Sequence, residues 1–481
     1  MPLTFIEIEK QKSWRISVLF FFLLFIYSGI ALALMQVLYC VFSLKAGFVL
    51  FNADPLKIVI VTAFVVSLAV VHFWFSAYNA VYAVSNTLNA FPPDPEDAIH
   101  MRLKNIMEEI HIVTGNKRQI KCLVIPSLSM NALSAADMKG EAVIGITEGL
   151  LSRLTRPQLE AVMAHEAYHI LSGDCLETTV AASLFGIYAS ALEDVKNAKD
   201  EDPRALPVFL FLWVLVKLSQ MLSMFISRER EYRADAGAVR MTRNPLAMAE
   251  ALHMLSRNWT GSGLISSGLE MLCIVNPVGS KLDESEGWWA DLISTHPPIR
   301  KRMDILLKMT RVRLSDLEKE SDSKAEALTD TTISADQTEK GQSEIPCPAC
   351  KHPLFEISYE KTKVYRCKNC RGVLVENDKI SRIVARREVP CTDRIKSLAK
   401  AVVTDNQRKL TINKLRSSDT RSKSVMSCPK CRNIMFRKFY SLAYLLEIDR
   451  CNICGITWFD IDELEMLQCI IENKITAEIK L

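Results

Sequence analysis

The pentapeptide His165-Glu166-Ala167-Tyr168-His169 sets two imidazoles four residues apart, with a carboxylate directly after the first. On a helix such positions share a face one turn apart, so both rings can reach a single zinc ion. Glu166 is then placed to take a proton from a water on that metal. A hydrolytic zinc site needs a third protein ligand and one open position. Further along, Glu229-Arg230-Glu231-Tyr232-Arg233-Ala234-Asp235 offers one. Glu231 is the expected ligand, with Glu229 its nearest rival. Asp235 lies on the same helical face as Glu231 and is placed to hydrogen-bond a ligand histidine from behind.

The flanks of the pentapeptide predict the helix it needs. Thr155 followed by Gln158 makes a capping-box pattern, and Pro157 suits a first turn. Leu159, Val162 and Met163 supply an apolar face, and Gly173 marks the expected end.

Residues 16–42 and 58–84 each run 27 residues without Asp, Glu, Lys or Arg, long enough to cross a bilayer. The first lacks a small-residue cleavage site and reads as a retained anchor. Two further stretches, 178–192 and 205–227, flank a charged link and predict an inserted hydrophobic hairpin. It is read as membrane-embedded, although the first arm is shorter than a full span and a buried core helix is the alternative. Lys10, Lys12 and Arg15 precede the first span, and basic residues recur after the second and fourth stretches. The positive-inside bias puts the metal-binding helices on the cytoplasmic side of the cell inner membrane. A chain with 49% apolar and 24% charged residues and slightly positive mean hydropathy fits a multi-pass protein with a large aqueous portion. Its net charge of +4 gives no global sign of nucleic-acid binding.

Several blocks now occur in a specific order: Asn131-Ala132-Leu133-Ser134-Ala135, Gly149 to Leu154, the pentapeptide, Ser227 to Asp235, and Ser294-Thr295-His296-Pro297-Pro298. Over residues 5–310 the chain resembles the HtpX family of membrane zinc metallopeptidases, relatives of the prenyl-protein peptidases. The resemblance implies a mainly α, gluzincin-like integral membrane fold with a small β element near Asn131 to Ile146. It implies His165, His169 and Glu231 as ligands of one catalytic zinc and Glu166 as general base. It sets Asn131 and Ala132 near a strand lining the substrate cleft, where a peptide could add by main-chain hydrogen bonds. The counterpart of His296 lies near substrate in relatives, and a contact with substrate or the developing oxyanion is expected here. Misfolded or damaged membrane proteins are the implied substrates.

The last third departs from that family. Residues 311–345 are polar and predict a flexible linker. Beyond it come Cys347-x-x-Cys350 with Cys367-x-x-Cys370, and Cys428-x-x-Cys431 with Cys451-x-x-Cys454. Paired CxxC knuckles at these separations point to two closed, structural zinc sites. Disulfides would need an oxidising compartment, against the predicted sidedness. The second unit resembles the small zinc ribbons named after transcription factor IIB, and the first reads as a more divergent copy. Residues 393–423 hold nine Lys or Arg against three Asp and predict a solvated basic linker, with no aromatic platform for bases. Cys391 and Cys469 carry no motif and are read as buried or incidental thiols.

The expected organisation is an N-terminal transmembrane hairpin over 1–90, a zinc metallopeptidase domain over 91–310, the linker 311–345, one ribbon at 346–385, the basic linker 386–426 and a second ribbon at 427–470. Two functions of different class follow. One is a membrane endopeptidase acting on polypeptides, its ribbons recruiting substrates or a protein partner. The other is a membrane-tethered adaptor for protein or nucleic acid that uses the peptidase fold as a scaffold. The intact His165, Glu166, His169 and Glu231 set favours the first.

Overall fold

A computed structural model describes residues 55–180, 182–183, 228–257, 297–310, 339–386, 391–415, 426–440 and 444–472, with isolated positions 21, 24, 274 and 312. All but two positions of the expected span 16–42, most of the hairpin 178–227, His296 and most of the linker 311–345 lie outside these residues.

The expected second span is not one straight helix. Helix α1 (Pro55–Tyr78) ends at Asn79, and α2 (Ala80–Thr87) leaves with a bend of 68°. At the bend Asn79 Nδ2 donates to the Phe75 carbonyl and Asn79 Oδ1 accepts from Lys139 Nζ. Among the described residues no single helix is long and apolar enough to cross a membrane, but this bent pair passes by length and composition.

The first core surrounds a three-stranded sheet of order β1-β3-β2, formed by β1 (Lys121–Ile125), β2 (Ala132–Ala136) and β3 (Ala142–Thr147). β3 pairs parallel with β1 and antiparallel with β2, so among the described residues β2 is an outer strand of the sheet. Helices α3 (Ala98–Val113), α4 (Glu148–Arg153) and α5 (Arg156–Ser172) pack with it, followed by α6 (Arg228–Thr242), α7 (Pro245–Arg257) and α8 (Ile299–Met309). α5 begins as expected, with Gln158 Oε1 accepting from the Thr155 N–H, and ends at Gly173 in the left-handed region. Its residues Leu159, Ala161, Val162, Met163, Ala164 and Ala167 are all fully buried, so apolar side chains point in every direction. A helix apolar all round belongs at a centre, and α5 sits there. α6 lies unusually close to it: a Cβ on Gly237 would come within 2.1 Å of the Tyr168 ring. Glycine at 237 is what permits that approach.

The two cysteine units do not form two separate ribbons. They share one seven-stranded sheet of order β4-β5-β6-β7-β10-β9-β8. Its strands are β4 (Glu339–Pro346), β5 (Pro353–Tyr359), β6 (Thr362–Cys367), β7 (Val373–Glu376), β8 (Phe436–Phe439), β9 (Glu447–Cys451) and β10 (Ile456–Phe459). The join is the antiparallel pair β7–β10, with Leu374 opposite Trp458. Trp458 is fully buried among Leu354, Leu374, Ile456 and cysteines of both units. A Cβ on Gly372 would sit 2.1 Å from the Trp458 ring, so the indole fills the space that glycine leaves.

Two expected linkers contain regular structure. β4 begins inside 311–345, and α10 (Asp393–Leu415) occupies most of the basic stretch. α10 buries Ile395, Ala399 and Val403, spaced at four residues on one face, against the core of the module. With α9 (Asn377–Ala385) and α11 (Glu463–Glu472) it covers one core of the shared sheet. Cys391 and Cys469, expected as unpaired thiols, form a disulfide that ties the start of α10 to α11. Their separation of 78 residues leaves no local signal of that pairing.

Candidate metal centres

His165, Glu166 and His169 lie on α5, and Glu231 and Asp235 on α6, which crosses it at the Gly237–Tyr168 contact. His165, Glu166, Glu231 and Asp235 are 7% exposed or less, and His169 is 8% exposed. The Nε2 atoms of His165 and His169 are 3.3 Å apart. They stand 3.6 and 3.5 Å from the two carboxylate oxygens of Glu231. A tetrahedral ion with metal–ligand bonds of about 2.0–2.1 Å requires donor separations of about 3.3–3.4 Å. The three donors therefore fit zinc in type and spacing. Glu229 cannot be compared, since its side chain lies outside the described residues.

Behind the donors is a buried chain of charges. His165 Nδ1 lies 3.0 Å from Asp235 Oδ1, the arrangement expected for Asp235. A carboxylate there keeps the proton on Nδ1 and leaves the Nε2 lone pair for a metal. Burial disfavours the imidazolium, but the carboxylates of Asp235 and Glu231 outweigh it and push His165 up to about 9. The spot strongly favours a cation.

One residue of this centre escaped the sequence-based expectation. Arg302, on α8 and 1% exposed, donates through Nε and a terminal nitrogen to both oxygens of Asp235 at 2.8 and 2.7 Å. Another terminal nitrogen lies 3.2 Å from Glu231 Oε2. Burial alone would raise the Asp235 carboxyl, yet the Arg302 guanidinium holds it below its ordinary range. A signal was present: Arg302 sits one turn before Leu306, on the stripe that also carries Met303 and Leu307, all buried. An arginine on the apolar stripe of an amphipathic helix must find a buried partner.

Ala132 opens β2, the outer strand beside α5, and its carbonyl accepts from the Ile274 N–H at 2.9 Å. Asn131 just before it is buried, with its N–H donating to Thr147 Oγ1 and its carbonyl accepting from the same hydroxyl. Asn131 thus fixes where that strand begins.

The eight ribbon cysteines gather into the two expected sets. Sγ atoms are 3.6 Å apart for Cys347 and Cys370, 3.4 Å for Cys350 and Cys367, and 3.6 Å for Cys431 and Cys451. Zinc–sulfur bonds of about 2.3 Å require roughly 3.8 Å, close to these values. The N–H groups of Cys350, Cys431 and Cys454 point at the sulfurs of Cys347, Cys428 and Cys451 at 3.4–3.5 Å. Donors aimed at sulfur stabilise thiolates, the form that binds metal. His352 hydrogen-bonds the Cys350 carbonyl and takes no part in either set.

Comparison with known proteins agrees with this geometry. Residues 93–310 match the model of peptidase family M48, and residues 346–386 match a transcription factor zinc-finger family. The second match falls on the unit expected to be the more divergent copy. A "Protease HtpX homolog" of Dictyoglomus turgidum is 30% identical over 331 residues, which cover 66% of this chain and 99% of that protein. Homologues of the same description from Dictyoglomus thermophilum and Acaryochloris marina are 33% and 35% identical, over 45% and 39% of this chain and 72% and 64% of their own lengths. No solved structure matches. The matches agree with a metalloprotease, in which the His165, His169 and Glu231 group could hold the metal, and the chain belongs to peptidase family M48.

Proposed function

We propose that the protein is a membrane-bound zinc endopeptidase that cleaves misfolded or damaged membrane proteins on the cytoplasmic side. It would hold one catalytic zinc at His165, His169 and Glu231 and two structural zincs at the cysteine sets. The observation that carries the reading is the donor triangle of 3.3–3.6 Å beside the buried Glu166. Bound there, zinc supplies the Lewis acidity that polarises a peptide carbonyl and acidifies a water near neutral pH. Glu166 takes the proton of the attacking water and returns it to the leaving amine, so the C–N bond breaks with protons balanced. Asp235 keeps His165 in the tautomer that leaves its Nε2 lone pair free to bind the metal. Arg302 offsets the two carboxylates it touches and holds α8 against α6. An extended substrate would meet β2 near Asn131 and Ala132, where the Ala132 carbonyl already accepts from the Ile274 N–H, and the expected role of His296 is contact with that substrate.

Membrane attachment is supported by the outward face of α1, where Ile60, Phe64, Val71, Trp74 and Phe75 are 58–67% exposed. Such a band of large apolar side chains suits lipid rather than water. Among the described residues, the Cys391–Cys469 disulfide is the one feature that speaks against this sidedness, since a reducing cytoplasm disfavours such a bond. The test uses the protein reconstituted in liposomes with zinc, offered an unfolded membrane protein and a stably folded one. Faster cleavage of the unfolded one supports the reading; equal rates, or cleavage only of soluble polypeptides, would overturn the quality-control assignment.

A further inference from the structure

The ribbon module does not hang from the peptidase by a tether. Arg382 of α9 and Arg386, just after that helix ends, enter an acidic recess of the peptidase domain, and both are 3% exposed. Arg382 donates to Asp94 at 2.9 Å and lies 3.2 Å from Asp97 and 3.5 Å from Glu148. Arg386 reaches Asp97 at 2.5 Å and also donates to the Glu360 carbonyl within its own module. The exchange runs the other way too. Leu128, in the loop between β1 and β2, packs against the apolar core under the shared ribbon sheet.

Both contacts bear on one loop. Glu148 opens α4, and Thr147, its cap, holds the main chain of Asn131 through N–H and carbonyl together. The Gly149 N–H donates to the Ser127 carbonyl at 3.0 Å, and a Cβ on Gly149 would meet the Leu128 carbonyl oxygen at 2.2 Å. Residues 127–131 are therefore pressed between α4 and the ribbon core, and they deliver the chain into β2. His100 accepts from the Asp94 N–H through Nδ1, so its Nε2 donates to Glu148 and stiffens the same corner.

We infer that the ribbon module is a fixed part of the peptidase, with Arg382 and Leu128 as positioning residues that hold the 127–131 loop and thereby the start of the substrate strand. This rests on the reading of β2 as the strand that receives substrate. Arg382 meets three carboxylates across the boundary, those of Asp94, Asp97 and Glu148, and such buried charge contacts are costly to break from one side only. Zinc in the cysteine sets would therefore support the substrate strand indirectly, by keeping the sheet on which α9 is built.

The test is hydrogen exchange on the zinc-loaded, detergent-purified full chain, comparing wild type with Arg382→Ala, Arg382→Lys and Leu128→Ala. Amides of 127–136 are expected to exchange at least about tenfold faster in Arg382→Ala and Leu128→Ala, with α5 unchanged. Arg382→Lys should recover part of the protection. In peptide cleavage the alanine variants should raise KM while kcat stays near that of wild type. Unchanged exchange at 127–136 in a variant whose ribbon module has become protease-sensitive would overturn the inference. Should Arg382→Ala fail to fold, Leu128→Ala decides alone. Because exchange needs no catalysis, an inert wild type would sink the peptidase reading and still leave this inference to be decided.

Discussion

Replacing Arg302 with alanine should expose how much of the candidate metal centre is held by charge. In the native chain its guanidinium makes two bonds to Asp235, at 2.8 and 2.7 Å, and lies 3.2 Å from Glu231. Removal leaves two carboxylates, 4% and 7% exposed, without their main cation. Breaking a buried pair from one side costs about 3–5 kcal/mol. For a unit of roughly 200 residues, 1 kcal/mol shifts Tm by about 2–4 °C, so the chelated variant should melt about 6–20 °C below chelated wild type. Zinc would restore positive charge beside Glu231, so the loss should be smaller in zinc-loaded protein. Arg302→Lys keeps the charge without the two-pronged geometry and should fall between. The assay is thermal unfolding of all three proteins with zinc and with chelator. A drop below about 2 °C in chelator, or an equal drop with and without zinc, would refute the reasoning.

Other perturbations probe the remaining links. Asp235→Ala should weaken zinc binding about 10–100-fold in competition with a calibrated chelator, since His165 loses the partner that sets its tautomer. Gly237→Ala drives a methyl into the Tyr168 ring and should cost about 1–3 kcal/mol in urea unfolding, with Tyr168→Ala in the same chain recovering much of it. Burial pushes Asp94 and Asp97 upward, but Arg382 and Arg386 outweigh it and hold both below the ordinary carboxylate range. A depressed folded pKa gives stability that is complete above the unfolded value of about 3.9 and fades as pH falls through the folded one. Limited proteolysis should therefore find the ribbon docked across neutral pH and released only in more acidic solution. Release between pH 5 and 7 would contradict that assignment.

Features that depend on neighbouring residues are legible in the sequence itself. The turn from Thr155 to Gln158, the apolar faces of α5 and the end at Gly173 all rest on contacts within a few positions, and they predict the helix that carries His165 and His169. The CxxC pairs are legible for the same reason: both donors of a knuckle are local, and only one long-range meeting per site must be supplied. What stays hidden is pairing over distance. Leu374 gives no hint that it will face Trp458, and two apparent ribbons therefore merge into one sheet. Arg382 reads as an ordinary helical arginine until α9 is laid against Asp94 and Asp97. Cys391 finds Cys469 only after α10 and α11 have packed. The break at Asn79 is different: an amide stands inside an apolar run, but charge-free length alone predicts an unbroken span.

The most direct test of the zinc peptidase account compares wild type and Glu166→Gln, purified under chelation and then loaded to equal catalytic zinc content. Both receive the same unfolded polypeptide. Glutamine keeps the size and polarity of Glu166, which is not one of the three donors, so the variant should keep its metal and its fold. Cleavage should appear in wild type only when zinc is added and be lost in Glu166→Gln. Equal cleavage by both, or none by zinc-loaded wild type on several unfolded substrates, would contradict it.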